Sequence, residues 1–497
     1  MTDDHFSMTI FQSSSAKVLV RDAQAKKVKC TPGTAGGQCR QCRLDLPAET
    51  CHFFKTMKRR LLLLPFLFAA SLLCAKEKLH TFKKIQLTDK FWGEGADYGD
   101  FNHDGKMDIV SGPFWYEGPD FKIRHEYFPA TASFEITDAS GQKTTIPGFE
   151  GALGEKNTYS DAFFAFASDI DGDGWTDIVI LGFPGKASWW FENPHNKEGH
   201  WTRHTIIDVT DDESPVFGDV FKNGQPVLLC CNHGYVGYAE KDPSHPANKW
   251  TFHRISPKKD YQKFTHGLGF GDVNGDGRND VLLKDGWYEQ PASLDGDPVW
   301  QFHPYPFAPG MGGSQMFAYD VNGDGLPDVI TGLTAHGFGL AWYEQLPQKD
   351  DKGEIQFKQH LILDPKGQPN EYGVAFSQLH AVALADIDGD GLLDIVTGKR
   401  FWAHGKNGPD PRSNDPAVLY WFKLVRGKNH TANFIPYLID NNSGVGTEVV
   451  VGDVNGDGLP DIVVGNKKGT FVFTQQVKSV SRKEWQAAQP KRIAPTP

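Results

Sequence analysis

Six segments of the chain carry oxygen-bearing side chains at the same offsets: DFNHDGKMDIV from Asp100, DIDGDGWTDIV from Asp169, DVNGDGRNDVL from Asp272, DVNGDGLPDVI from Asp320, DIDGDGLLDIV from Asp386 and DVNGDGLPDIV from Asp453. Each reads D-x-[DN]-x-D-G-x-x-D and then runs into β-branched or aliphatic residues. Side-chain oxygens at positions 1, 3, 5 and 9, with a carbonyl at 7, can wrap one hard cation, and glycine at 6 permits the sharp turn. Calcium fits this set, and magnesium fits it less well. The implied ligands are Asp100, Asn102, Asp104 and Asp108, then Asp169, Asp171, Asp173 and Asp177, then Asp272, Asn274, Asp276 and Asp280. They continue with Asp320, Asn322, Asp324 and Asp328, with Asp386, Asp388, Asp390 and Asp394, and with Asp453, Asn455, Asp457 and Asp461. An EF-hand would need an acid at position 12 followed by a helix, but position 12 is Ser111, Ile180, Leu283, Thr331, Thr397 or Val464. Metal-free hairpin turns are the competing reading, and six copies of the full ligand set weigh against it. A worn copy, DVFKNGQPVLL from Asp219, keeps Asn223 and Gly224 without the later carboxylates and is expected to be a metal-free turn.

Starts at 100, 169, 219, 272, 320, 386 and 453 leave room for one four-stranded blade per copy, so the chain reads as an all-β, seven-bladed β-propeller. Each copy repeats a small-residue strand, the acidic loop and an aliphatic strand. A Trp-Tyr-Glu-like strand follows, as in GWYEQ at 286–290, and then a strand resembling W-x-x-H-x-I, as in WTRHTII from Trp201. The third element occurs in every copy, whereas the fourth is missing after the last one. LHTFKKIQL, from Leu79 to Leu87, has the character of that missing strand, so the N-terminal strand is expected to close the last blade and remove a free sheet edge. The recurrent Trp is expected to pack between blades, and the recurrent His to be structural.

These loops and their flanks resemble FG-GAP and VCBS repeats, the calcium-loop propeller repeats of integrin α-chain heads and many secreted bacterial proteins, over residues 80 to 475. The resemblance implies a propeller with calcium in its loops and does not carry over the ligand chemistry of any relative.

Strand direction then sorts the remaining polar residues. The acidic loops join strands one and two on one face. The opposite face receives the starts of the innermost strands, with Glu94, Asp161, Glu213, His266, Gln315, His380 and Glu448, and the residues after strand two, with Lys186, His233, Lys284, His336, Lys399, Arg400 and His404. The insertions at 129–160 and 401–417 fall there too. From these, Glu94, Asp161, His266, Gln315, His380, Glu448, Lys284, His336 and Lys399 are the ligand-site candidates, expected to ring a hydrated channel mouth. His266 and His380 hold equivalent places, six residues before Asp272 and Asp386. Carboxylates and imidazoles there could move protons or hold a metal, and ammonium groups could hold an anionic substrate. No catalytic residue is assigned.

Residues 57–75, MKRRLLLLPFLFAASLLCA, have the basic, apolar and small-residue regions of a signal peptide, with cleavage expected after Ala75. Residues 1–56 then read as an over-extended start, 76–476 as the propeller and 477–497 as a tail. The apolar stretch is short for a membrane span, so the mature chain is expected to be secreted or periplasmic, with lipidation at Cys74 a lesser option because Leu73 does not suit a lipobox. Cys30, Cys39, Cys42, Cys51 and Cys74 precede residue 76, and adjacent Cys230 and Cys231 offer no disulfide framework. A net charge of −11 argues against nucleic acid. The expected function is a monomeric calcium-binding module that recognises a carbohydrate or protein through the face opposite the calcium loops. The alternative is a carbohydrate lyase or dehydratase with its site at the channel mouth, since similar propellers occur in aldos-2-ulose dehydratase and some pectin-type polysaccharide lyases.

Overall fold

The computed structural model describes residues 76–130, 133–137, 140–147, 159–405 and 408–493. The signal-peptide segment, the residues before it and their cysteines lie outside that range. The described residues belong to one compact unit and are almost entirely β, with a single helix among them, Arg482–Ala488.

Around Asp169 the repeating pattern is plain. Phe164–Ser168 runs into the acidic loop, Asp177–Leu181 leaves it, and the two pair antiparallel from Phe164 opposite Leu181 to Ser168 opposite Asp177. Lys186–Glu192 adds outside them, and Thr202–Gly218 outside that. The same four-strand order recurs from Asp97–Gly99 to Arg124–Glu126 and from Val382–Ala385 to Ala432–Asp440. Leu268–Gly271 to Gln301–Pro304 and Met316–Tyr319 to Phe357–Leu363 are two further sets. Their inner strands pair in parallel at Gly269 and Met316, which joins the sets into one eight-stranded sheet. Thr202–Gly218 is 17 residues long and does two jobs: it edges the set around Asp169 and, past a register break, becomes the inner strand of the set around Asp219.

Glu77–Thr88 pairs antiparallel with Gly469–Val480, with Leu79 opposite Lys478 and Ile85 opposite Val472. It is the outer strand of the sheet holding Asp461–Asn466 and Val450–Gly452, so the first strand of the described chain joins the last repeat. Gly469–Val480 runs past residue 476, and the tail continues into Arg482–Ala488, started by a capping box between Ser481 and Glu484. The tail docks on the sheets: Tyr437 Oη donates to Gln489 Oε1 at 2.5 Å, and Ile493 N to the Glu371 carbonyl at 2.8 Å.

The second strands are short continuous apolar runs, buried on both sides, because each sheet is covered by its neighbours. Val179, Leu181 and Trp190 pack with Leu228 and Cys230 of the following repeat. Tyr98 and Ile109 near the start pack with Val463 and Val472 near the end. The recurrent Trp and His also have a shared role. They stack on each other across the third and fourth strands: Trp115 on His125 at 4.0 Å, Trp190 on His204 at 4.4 Å, Trp287 on His303 at 4.1 Å and Trp342 on His360 at 4.3 Å between centroids. The Glu of the same motif then takes the imidazole, as Glu117 does with His125 at 2.6 Å and Glu344 with His360 at 2.7 Å. This locks each outer edge with a ring stack and a polar contact, so these histidines are committed to the fold.

Candidate functional site

Because Phe164–Ser168 ends and Asp177–Leu181 begins at an acidic loop, the start of every first strand and the end of every second strand lie at the opposite pole. Residues far apart in sequence meet there. Arg400, fully buried, donates from Nε to Glu94 Oε2 at 3.0 Å and from Nη1 to Glu213 Oε2 at 3.4 Å. Lys467 Nζ donates to the other Glu94 oxygen at 2.8 Å. One guanidinium thus ties the first, third and sixth repeats of the sequence, and Lys467 adds the seventh. Burial alone would raise the two glutamates. Arg400 and Lys467 outweigh it at Glu94 and hold that carboxyl below its ordinary range, while His266 and Arg400 hold Glu213 at about 2.

Beside this ionic centre three imidazoles converge. The His266 ring lies 5.3 Å from those of both His336 and His380, and the latter two are 4.7 Å apart. One nitrogen from each can be chosen so that all three lie within 4.8 Å of one another. His404 stacks on His336 at 4.4 Å, and Asp410 accepts from His404 Nδ1 at 2.8 Å. Burial pushes the pKa of His336 down, and that of His380 well down, with Arg400 and the neighbouring imidazoles adding to the effect at His380. Lys399, also buried, is pushed down to about 8 by desolvation and donates to Ser377 Oγ at 3.1 Å.

The expectation of a water-washed ring is corrected here. Glu94, His266, His380 and Lys399 are 0–1% exposed and Glu448 is 7% exposed. The reason is that the ion pairs and the segment after Arg400 fill the mouth: Ala403 N bonds Gln378 Oε1 at 2.6 Å, and Ser377 Oγ bonds the Pro411 carbonyl at 2.7 Å. Gln315 is a brace, donating to the Thr447 carbonyl and accepting from Val382 N, both at 2.9 Å. Glu448 accepts from Ala165 N at 3.2 Å; burial and nearby Asp97 raise its carboxyl well above the ordinary range. Lys284 is partly exposed beside Gly267. Asp161 pairs with Lys186 at 2.6 Å on the accessible rim. Tyr159, Phe183 and the 36%-exposed Phe264 run alongside, with ring centroids 5.0 and 5.7 Å apart. Three residues escaped the sequence reading. Lys467 was visible as the position after a second strand, equivalent to Lys284 and Lys399, whereas Asp410 and Tyr159 lie in insertions that match no repeat.

At the other pole the acidic loops hold their shape through their own carboxylates. Asp272 accepts from Gly275 N and Gly277 N at 2.8 Å, and Gly277 sits at φ 90°, where a side chain would be strained. The ninth-position carboxylates have a structural role as well. Asp177 takes Ile170 N and Asn193 N at 2.8 Å, one on each oxygen, and so pins the loop to the third strand. Burial pushes Asp108 to about 7 and Asp177 and Asp394 to about 8, a cost that a bound cation would relieve. Carboxylate oxygens of Asp169, Asp171 and Asp177, and of Asp386, Asp388 and Asp394, come within 4.8 Å of one another. Protein cations also reach the loops: Lys106 pairs with Asp104 at 3.2 Å, Arg278 with Asp276, and, in the Asp386 loop itself, Lys423 with Asp390 at 2.7 Å and with Asp388. The all-oxygen donor set fits a hard divalent ion. The worn loop makes the same turn, with Asp219 accepting from Asn223 N at 2.9 Å and Gly224 N at 2.8 Å.

Repeated four-stranded sheets with acidic loops at one pole and a buried polar centre at the other define a β-propeller-like repeat protein. A family model for the FG-GAP repeat matches residues 445–477, and one for the FG-GAP-like repeat matches residues 169–230 and 272–331, so the chain carries FG-GAP and FG-GAP-like repeats. No curated protein matches it. Similar solved structures include rhamnogalacturonan lyase YesW, at 11% identity and a TM-score of 0.35, covering 81% of this chain and 72% of that one. Exotype rhamnogalacturonan lyase YesX is similar at 12% identity and a TM-score of 0.34, covering 80% and 72%. Among the described residues no helix is long and apolar enough to cross a membrane.

Proposed function

We propose that the chain is an exported, calcium-stabilised, seven-bladed β-propeller that binds a carbohydrate at the pole opposite the calcium loops. The observation that carries this reading is the rim there. Tyr159, Phe183 and Phe264 offer a partly exposed aromatic strip beside the Asp161–Lys186 ion pair, which is the pairing of flat apolar faces and orientable polar groups that sugar rings need. The recurrent Trp side chains are consumed in stacks with His and do not compete for that role. The seven-blade count rests on the repeated four-strand order and on the first strand joining the last repeat. Calcium rests on the donor set of the six loops.

A second reading, a lyase or dehydratase at the same pole, is favoured by the convergence of His266, His336 and His380 next to Arg400 and Glu213. Removing a proton from a sugar carbon needs a base held against a cation that stabilises the developing anion, and this centre brings both together.

The test is calorimetric titration of the calcium-loaded chain with a panel of neutral and acidic oligosaccharides, followed by ultraviolet assay for the unsaturated products of elimination. Binding by at least one class, weakened about tenfold or more in Phe264→Ala with unchanged melting, supports the reading. A panel with no binder, or binding indifferent to Phe264→Ala and Tyr159→Ala, refutes it. Unsaturated products would establish the second reading.

A further inference from the structure

The three imidazoles raise a question that the carbohydrate reading leaves unanswered. His266 and His380 are 1% and 0% exposed, yet both ring nitrogens of His266 and Nε2 of His380 are buried without a hydrogen-bond partner, as is Nδ1 of His336. Carboxylates lie within 3.4 Å of two of these, His266 Nε2 and His336 Nδ1, but His266 Nδ1 and His380 Nε2 have no partner among the described residues, and a buried polar atom normally finds one, so these two point to a missing ligand.

The surroundings are ordered in the way metal-bound imidazoles require. Such a ring offers one nitrogen to the ion and turns the other toward a carboxylate or carbonyl that fixes its tautomer. Here Glu213 Oε2 lies 3.3 Å from His266 Nε2, and Asp410 Oδ1 lies 3.4 Å from His336 Nδ1. These are ion-pair distances, although the atoms are not aligned as hydrogen bonds. The Gln378 carbonyl lies 3.3 Å from His380 Nδ1. Each ring therefore has one nitrogen beside an acceptor, and the second nitrogens of His266 and His380 are buried without a partner. The two carboxylates supply negative charge next to the rings. His336 retains access to solvent at 29% side-chain exposure, which leaves a way in.

We propose that His266, His336 and His380 form a binding site for one divalent first-row transition ion, zinc or a neighbour of it, oriented by Glu213, Asp410 and the Gln378 carbonyl, with a coordination position left for water or a ligand oxygen. Three nitrogen donors favour such ions and disfavour calcium, which takes oxygen. The site differs in place, donor type and metal from the acidic loops at the other pole. It stands independently of the carbohydrate reading, because metal binding is measured with no sugar present.

The experiment is titration of the full chain with zinc while calcium is held in excess to fill the loops, paired with X-ray absorption at the zinc edge on the wild type. The expected result is one tight zinc per chain, with imidazole nitrogens at about 2.0–2.1 Å. The double variant His266→Gln/His380→Gln should lose at least about 100-fold in affinity, and Asp410→Asn about 10- to 100-fold, at unchanged calcium content. Absence of tight zinc, a shell of oxygen donors alone, or undiminished affinity in the double variant would overturn the proposal. The absorption measurement uses the wild type, so it decides the matter even where a variant fails to fold.

Discussion

Replacing Arg400 with Met tests whether the buried polar centre holds the repeats together. The guanidinium is fully buried and is shared between Glu94, at 3.0 Å from Nε, and Glu213, at 3.4 Å from Nη1. Methionine fills much of the volume and supplies no charge. Glu94 would keep Lys467 at 2.8 Å, but Glu213 would be left with the His266 imidazole at 3.3 Å and no guanidinium. Stripping one partner from a buried ion pair costs about 3–5 kcal/mol, because the other charge stays in low dielectric unpaired. Lys467 still compensates one carboxylate, so the lower half of that range is expected. The assay is urea unfolding of the calcium-loaded chain followed by tryptophan fluorescence. Adding Glu213→Gln to Arg400→Met should recover about half of the loss, since the amide removes the unpaired charge, and the double-mutant cycle should show a coupling of at least about 1 kcal/mol. A single variant within about 0.5 kcal/mol of wild type, or strictly additive effects, would refute the claim that this centre is a compensated ionic tie.

Three further outcomes are expected. Burial raises the Glu448 carboxyl well above 4.5, so the folded chain keeps a proton that the unfolded chain releases; its contribution is complete below pH 4.5 and is lost as pH rises toward the folded value, at about 1.4 kcal/mol per pH unit. Glu448→Gln escapes that loss, so its stability relative to wild type should climb as pH rises above 4.5, and parallel profiles in chemical denaturation would contradict the assignment. Chelation of calcium should lower the melting temperature, since each loop filled at 100 times its Kd contributes about 2.7 kcal/mol. Metal analysis should show Asp276→Ala losing one of the ions held by the six loops and Asn223→Ala losing none; equal loss in both would overturn the distinction between full and worn copies.

How much of this was legible in the chain differs between the two poles. The acidic loops are local: all their oxygen-bearing side chains lie within nine consecutive residues, and Gly275 N and Gly277 N both bond Asp272 within that one turn. The four-strand order is likewise local in each copy, and its deficit of one outer strand pointed to Leu79–Leu87, which does pair with Gly469–Val480. Strand direction was enough to bring His266, His336 and His380 to one pole. What sequence could not supply was their environment. Whether Glu94 faces water or Arg400 depends on residues 306 positions apart, and Lys467 is 373 positions from the same carboxylate. The same holds for the bond of Glu448 to Ala165 N and the arrival of Asp410 from an insertion that obeys no repeat. Periodicity fixes which face a side chain takes, but only the packing of distant segments decides which charges share a low-dielectric space. That is why the hydrated ring expected from sequence is instead a buried ionic centre with an imidazole cluster at its edge.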